Sequence, residues 1–276
     1  GGGVRALDVP GAVLFAAAVS ALLLGLGRGP ADGWSAPPVL GLLAAALVLL
    51  GLFAARETRT ARPLVDLRLL RRRVFGLGIL ASFVYFLLTV LPAFLFPLYL
   101  QEVLGWSTGT TGLVMTLQAA AMLLVSPVSG WWSDRVGSRR PALLALGLLV
   151  AGLAGCGLLD AEPRPWLVGV LLVLLGVGPG MFNSPNNSAI MGDVGRERVG
   201  TANGILSTTR NLGRAVGVAV VAVGYQAFAG TSATTGVPDG TLLAGIRGVF
   251  LVGAVLAAVA LAAVALMPPR GRAPSA

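Results

Sequence analysis

The segment FGLGILASFVYFLLTVLPAFLFPLYL, from Phe75 to Leu100, contains no charged residue. A helix of about 20 predominantly apolar residues is long enough to cross the hydrocarbon core of a bilayer. The segment therefore predicts a membrane-spanning helix. Pro92 and Pro97 lie inside it, and each removes a backbone hydrogen bond, so we expect the helix to be interrupted twice.

The composition of the whole chain agrees with a membrane protein. Of 276 residues, 56% are apolar and only 11% are charged, against about 25% charged in soluble domains. One cysteine and no histidine are present, which excludes an intrachain disulfide and argues against zinc, haem and His-based catalytic triads. The HExxH motif is also absent. We therefore expect that the protein binds no cofactor and is not an enzyme.

Apolar segments of suitable length recur along the chain and predict an all-α polytopic membrane protein with eight transmembrane helices. They are Asp8–Gly27, Pro38–Ala55, Phe75–Leu100, Thr111–Trp132, Pro141–Leu159, Trp166–Met191, Val199–Phe228 and Leu242–Met267.

The arginines between these segments predict the orientation of the chain. All 20 basic residues are arginine, and they form short clusters between apolar runs, a pattern that is unlike a nucleic-acid-binding face. Fifteen lie in alternate gaps and tails, two lie in the other gaps, and three lie inside predicted spans. Positive residues concentrate on the cytoplasmic side. We therefore expect a multi-pass protein of the cell membrane with both termini of this chain in the cytoplasm.

The fourth gap carries a recognisable motif, GWWSDRVGSRR, over residues 130–140. It resembles the G-x-x-x-D-R-x-G-R-R cytoplasmic loop of the major facilitator superfamily, with Ser138 departing from the first basic position after the glycine. A plain basic loop is the alternative interpretation. The residues that match the family motif are Gly130, Asp134, Arg135, Gly137, Arg139 and Arg140.

Two further segments resemble the 14-helix drug:proton antiporter branch of this superfamily: Leu98–Ser107 and Gly200–Gly217. That resemblance implies two central helices in residues 1–55, a basic cytoplasmic linker in 56–74, the carboxyl-terminal six-helix bundle in 75–267 and a cytoplasmic tail in 268–276. The chain begins Gly-Gly-Gly-Val without methionine. We therefore expect it to be a carboxyl-terminal fragment that lacks the first six helices.

The resemblance also implies a function: proton-coupled efflux of hydrophobic drugs or metabolites by alternating access, as in multidrug efflux or antibiotic resistance. The implied partners are the lipid bilayer, a small hydrophobic or cationic substrate, protons and the missing amino-terminal half of the same protein. The alternative is a non-transport membrane scaffold or a half-size partner subunit.

Arg210 and Arg214 are the first candidate site residues, because both lie inside a predicted span. Charged residues at membrane depth are costly and usually functional, and a spacing of four places them on one helix face. They could line a polar cavity, bind anionic groups or gate the path. Alternatively, they lie near the interface and extend towards the headgroups.

The sixth predicted span contains the second group of candidates. Gly176-Val-Gly-Pro-Gly180 is followed by Asn183, Asn186 and Asn187, so the asparagines could face a substrate path. Close glycine-mediated helix packing with interhelical amide bonds is the alternative.

Three weaker candidates complete the predicted site. Gln118 and Tyr85 could line the cavity. The proton-coupling residue remains unknown, because no acidic residue lies securely at mid-membrane, and Glu102 is the fallback.

Overall fold

The computed structural model describes residues 8–60, 69, 72–162, 165–195, 198–229 and 239–266, and every regular element in these ranges is helical. The prediction of an all-α protein is confirmed. Residues 1–7, most of the predicted linker and the predicted tail 268–276 lie outside the described residues. The helices are α1 Val9–Asp32, α2 Pro37–Arg59, α3 Arg73–Leu88, α4 Val90–Leu98, α5 Thr108–Val136, α6 Arg139–Cys156, α7 Pro165–Met191, α8 Val199–Ala229 and α9 Asp239–Ala265.

Seven helical segments within the described residues are long and apolar enough to cross a membrane. The third of them runs from Arg73 to Val103 and combines α3, α4 and a π-helical turn at Tyr99–Val103. The seventh predicted span, Val199–Phe228, corresponds to α8, which is 31 residues long but less apolar, since it contains two arginines. The apolarity criterion therefore supports seven of the eight predicted spans.

The two interruptions of the third span lie close to its two prolines. Helix α3 ends at Leu88, and α4 begins two residues later. The ring of a proline clashes with the carbonyl four residues earlier, which for Pro92 is that of Leu88. Pro97 lies inside α4, and the π turn begins two residues after it. The expectation of a twice-interrupted helix is confirmed, although the breaks fall beside the prolines.

One end of the bundle brings together the ends of helices that are distant in sequence. Arg72, just before α3, donates a 2.7 Å hydrogen bond to the carbonyl of Asp193, just after α7. Arg139, at the start of α6, donates to the carbonyl of Ala265, at the end of α9. We call this the inner end, since it contains the arginine-rich gaps.

The opposite, outer end is held by contacts to Asp160. The hydroxyl of Tyr99 donates to the Asp160 carbonyl at 2.7 Å, and Arg247 in the first half of α9 forms an ion pair with the Asp160 carboxylate. Since α7 ends at the inner end and α9 begins near the outer end, α8 must run between them. Its 31 residues span about 46 Å, so α8 is placed as the remaining predicted crossing.

The six helical segments from α3 to α9 divide into two sets of three: α3 with α4, α5 and α6, and then α7, α8 and α9. The two sets correspond when α3 is matched with α7, α5 with α8 and α6 with α9. Under this match the contact of α5 with α7 becomes that of α8 with α3, and the contact of α6 with α7 becomes that of α9 with α3. The contact between α6 and α9 is unchanged by the exchange. Because α3 and α7 run in opposite directions, the arrangement is that of an inverted repeat, as in many secondary transporters.

Helices α1 and α2 form a hairpin that packs on the bundle through α1 and α8. Asp8 precedes α1, accepts a hydrogen bond from the backbone N–H of Gly11 and pairs with Arg56 on α2 at 2.8 Å. The Arg56 side chain, and to a lesser degree the Gly11 N–H, lower the pKa of the Asp8 carboxyl from its ordinary value. Because α2 continues to Arg59, the predicted boundary between residues 55 and 56 falls within its last turn.

Glycines on α7 and α8 allow close approach between helices. Two glycines of α7 lie against backbone carbonyls of α5. A Cβ at Gly180 would lie 2.8 Å from the carbonyl oxygen of Met122, and one at Gly176 would overlap the carbonyl of Gln118. Small residues spaced four apart are typical of tightly packed membrane helices. Of the two interpretations of the glycine-rich segment of α7, close packing therefore accounts for these glycines.

Candidate functional site

Within the described residues, half-buried Arg210 contacts the neighbouring helices α7 and α3. It lies eleven residues after the start of α8, or about 16 Å along the helix. Its guanidinium donates a 2.9 Å hydrogen bond to Oδ1 of Asn187 on α7 and lies 5.1 Å from the ring centroid of Phe86 on α3. Its Nε is buried and has no hydrogen-bond partner among the described residues. Arg210 therefore faces protein rather than extending to a membrane interface.

Arg214 lies one turn further along α8 and contacts the same ring. Its guanidinium is 4.9 Å from the Phe86 centroid. The Arg214 residue is exposed, whereas Phe86 is buried with 5% exposure. Cation–π contacts favour this geometry, but an aromatic ring does not neutralise a charge. Two positive charges therefore share one buried aromatic ring.

Tyr85 precedes Phe86 on α3 and connects its ring to further aromatic rings in the core. Its ring stacks on Phe182 of α7 with centroids 4.2 Å apart and meets the edge of Phe86 at 5.3 Å. Tyr85 is fully buried, and its hydroxyl has no hydrogen-bond partner within the described part of the chain. We refer to Phe86, Tyr85, Phe182, Asn187, Arg210 and Arg214 as the Phe86 cluster.

The helices that form the Phe86 cluster contain no acidic residue that could balance its charge. Helices α3, α4, α7 and α8 include neither Asp nor Glu in their sequences. The nearest acidic residue along the third span is Glu102 in the π turn, which is exposed at the outer end. Glu102 as a proton-coupling group stays a prediction.

Two of the three predicted asparagines have structural partners. Asn186 is buried, and its Nδ2 donates to the hydroxyl of Ser82 on α3 at 2.6 Å. Asn183 donates to the carbonyl of Pro179 in its own helix at 3.3 Å, and its Oδ1 is buried without a hydrogen-bond partner in the described ranges. Only Asn187 contacts an arginine in the Phe86 cluster. The interhelical amide bond expected from the packing interpretation is the one made by Asn186.

Gln118 lies apart from this cluster. It is half-buried on α5, and its backbone carbonyl meets α7 at Gly176. Its prediction as a cavity residue stays a prediction.

The motif at the inner end is a helix–turn–helix connection between α5 and α6. Gly137 has φ +83, a conformation that other residues adopt only with strain, and its N–H bonds to the carbonyl of Ser133 at 2.9 Å. Arg135 lies 4.0 Å over the ring of Trp131. Arg139 caps α9 as described above. Gly130 is half-buried and packs near Ser184 on α7, while Asp134 and Arg140 are exposed.

Sequence analysis did not identify Phe86, Phe182 or Ser82 as partners of the predicted residues. An aromatic residue within an apolar run has the pattern of a lipid-facing or core residue. Nothing in its spacing indicates that it contacts a cation from another helix.

Comparison with known proteins identifies the family. A family model described as Major Facilitator Superfamily matches residues 9–218. The chain belongs to the Major Facilitator Superfamily. The fold of this Major Facilitator Superfamily chain, with its inverted repeat and its loop motif, agrees with that assignment, and membership identifies a transporter-family protein rather than an enzyme.

Curated relatives within this superfamily are bacterial transporters. The chain is 32% identical over 215 residues to the riboflavin transporter RibZ of Clostridioides difficile, covering 78% of this chain and 46% of the relative. It is 35% identical to the multidrug resistance protein Stp of Mycobacterium tuberculosis, covering 79% and 40%. It is 30% identical to the tetracenomycin C resistance and export protein of Streptomyces glaucescens, covering 79% and 41%. The chain therefore spans less than half the length of each.

Proposed function

We propose that this chain forms part of a secondary active transporter that exports hydrophobic drugs or metabolites by alternating access. The observation that carries the proposal is the match of residues 9–218 to the superfamily. Relatives named for drug resistance and antibiotic export support the direction of transport. The inverted repeat formed by α3 to α9 supports the mechanism, since such repeats rock around a site near the midplane.

We propose that the substrate site is completed by a six-helix bundle preceding these residues, because the chain spans less than half of its relatives' length. In this arrangement α3 to α9 form the carboxyl-terminal bundle, and α1 and α2 form the central pair. The positive-inside distribution of arginine supports a cytoplasmic position for the inner end and for both termini of the chain.

Proton coupling is part of the same proposal. A coupling group in a membrane is normally a carboxylate whose pKa is raised by burial. The helices of the Phe86 cluster contain no acidic residue. We therefore propose that the coupling carboxylate lies in the preceding bundle, with Glu102 as the candidate on this chain.

An efflux assay tests the proposal. The full gene and the 276-residue chain are expressed separately in a pump-deficient host and loaded with a panel of lipophilic compounds, with and without a protonophore. We expect protonophore-sensitive efflux from the full gene and none from this chain alone. Arg210→Ala should reduce efflux at unchanged expression, whereas Arg28→Ala, which removes an exposed arginine near the end of α1, should not. No efflux from a well-expressed full-length protein would instead favour a scaffold or partner-subunit role.

A further inference from the structure

Among the described residues, no acidic side chain forms an ion pair with either arginine of the Phe86 cluster. Arg210 and Arg214 both contact Phe86, and the only polar side chain bonded to either in the described residues is the neutral amide of Asn187. Removing a guanidinium from water is costly unless an opposite charge compensates it. The arrangement therefore favours an anion beside the two arginines.

Hydrogen-bond donors near the same ring also lack acceptors. The Nε–H of Arg210 and the hydroxyl of Tyr85 are both buried without a partner among the described residues. Buried donors in native proteins are almost always satisfied. Both unsatisfied groups belong to residues that contact Phe86. A carboxylate offers acceptors for such donors, and the planar guanidinium matches carboxylate geometry better than other cations do.

Further polar groups continue from the Phe86 cluster towards the outer end, because α7 and α8 run in opposite directions. The two helices are antiparallel, and Asn187 pairs with Arg210. One turn further from the inner end, the same register brings Asn183 to the level of Arg214. The buried rings of Tyr85 and Phe182 stack between α3 and α7, and the ring of Phe86 meets the arginines of α8. Amide and guanidinium groups thus stand beside an aromatic surface.

We propose that the Phe86 cluster binds the carboxylate of an aromatic organic acid, so that the substrate of this transporter is anionic rather than cationic. The identification of this acid as the transported substrate rests on the proposed function. The binding of an anion at the Phe86 cluster does not. Arg210 and Arg214 hold the carboxylate, and Phe86 orients both guanidinium groups. The exposed position of Arg214 leaves one side of the site open to a ligand. A lipophilic cation would be repelled by the same two charges.

A matched pair of probes tests the site directly. Binding of 1-naphthoate and of its neutral amide, 1-naphthamide, is measured by titration calorimetry on the 276-residue chain in nanodiscs of phosphatidylcholine. We expect naphthoate to bind at least about tenfold more tightly, since one charge-assisted hydrogen bond contributes at least that factor. Arg214→Gln should reduce this preference about tenfold and leave naphthamide binding unchanged.

Two further variants separate charge from folding. Arg210→Lys retains the charge but not the planar donors, so we expect it to keep only part of the preference. Arg28→Gln removes an exposed arginine near the end of α1 and should change neither affinity. Equal binding of the two probes to the wild-type chain would overturn the proposal. A preference that survives in the Arg210→Gln, Arg214→Gln double variant would also overturn it.

An anionic lipid headgroup could satisfy the same chemistry, and a second arm distinguishes it. The titrations are repeated in nanodiscs that contain phosphatidylglycerol. A retained preference for naphthoate supports a small organic acid as the ligand. The substrate assignment would be overturned by two results together. Phosphatidylglycerol would abolish the preference for naphthoate, and native mass spectrometry would show lipid retained by the wild type but not by Arg214→Gln.

These outcomes are independent of the efflux assay. Selective naphthoate binding without any efflux from the full gene would support the anion site and contradict the transport proposal. Protonophore-sensitive efflux without selective binding would support transport and contradict the anion site.

Discussion

The carbonyl oxygen of Phe83 on α3 lies 2.6 Å from the position that a Cβ at Gly213 on α8 would occupy. One turn further, Gly217 meets the Leu87 carbonyl in the same way. Between these contacts, Arg214 projects from α8 and covers the ring of Phe86. The glycines allow α8 to approach α3 closely enough for its arginines to reach that ring. Backbone packing thus positions the candidate site.

Gly213→Ala should destabilise the bundle, because the added methyl group must displace the backbone of α3. Overpacking of this kind costs about 1–3 kcal/mol in the free energy of unfolding. Thermal unfolding of the purified chain, followed by tryptophan fluorescence, measures the effect. The matched control is Gly204→Ala on the same helix, where a Cβ would meet no atom within 4 Å. Equal destabilisation by both substitutions would show that close packing is not the cause.

The hydrogen bond between Asn186 and Ser82 should couple α7 to α3. Side-chain hydrogen bonds between membrane helices contribute about 0.6 kcal/mol on average. A double-mutant cycle of Asn186→Ala and Ser82→Ala measures that coupling as a free energy of unfolding. Asn211→Ala, at an exposed position of α8, serves as the control and should have little effect. Strictly additive effects of the two substitutions would contradict a direct interaction.

The ion pair between Asp8 and Arg56 should make the stability of the α1–α2 hairpin depend on pH. The Arg56 side chain lowers the pKa of the Asp8 carboxyl in the folded state. The resulting stabilisation is present above the unfolded-state pKa of about 4 and is lost as the pH falls through the lower folded-state pKa. Asp8→Asn should therefore lower the unfolding temperature at pH 7 but not under strongly acidic conditions.

Asp32→Asn provides the control for this measurement, since Asp32 is exposed at the other end of α1. We expect its unfolding temperature to follow that of the wild type across the pH range. A difference between Asp8→Asn and the wild type that did not change with pH would rule out the charge of Asp8 as its cause.

Cysteine labelling should place the two ends of the bundle on opposite sides of the membrane. In a Cys156→Ala background, which removes the buried native thiol, Arg140→Cys reports the inner end and Glu162→Cys the outer end; both positions are exposed. A membrane-impermeant maleimide added to intact cells should label residue 162 and reach residue 140 only after lysis. The reverse pattern would invert the proposed orientation.

Asn186 and Asn187 illustrate how far the site could be predicted. Their residue type inside an apolar helix left a substrate path and interhelical amide bonds as alternatives, and each of the two forms a hydrogen bond to a neighbouring helix. Adjacent positions on an α-helix point about 100° apart. Asn186 therefore bonds to Ser82 on α3 while Asn187 accepts from Arg210 on α8. Sequence spacing established the divergence of the two side chains but could not identify the partner of either.

The sequence by itself determined that this is an all-α membrane protein, because long uncharged segments can satisfy their backbone groups in a bilayer only as helices. It also determined that Arg210 and Arg214 share a helix face, because that depends only on the helical repeat. Tertiary structure decided what this face meets. Arg210 and Arg214 reach Phe86, and Arg210 also reaches Asn187, because glycine contacts set which helices are neighbours and how closely they approach. The contacts of both arginines with Phe86 join residues more than a hundred positions apart, which no local pattern records.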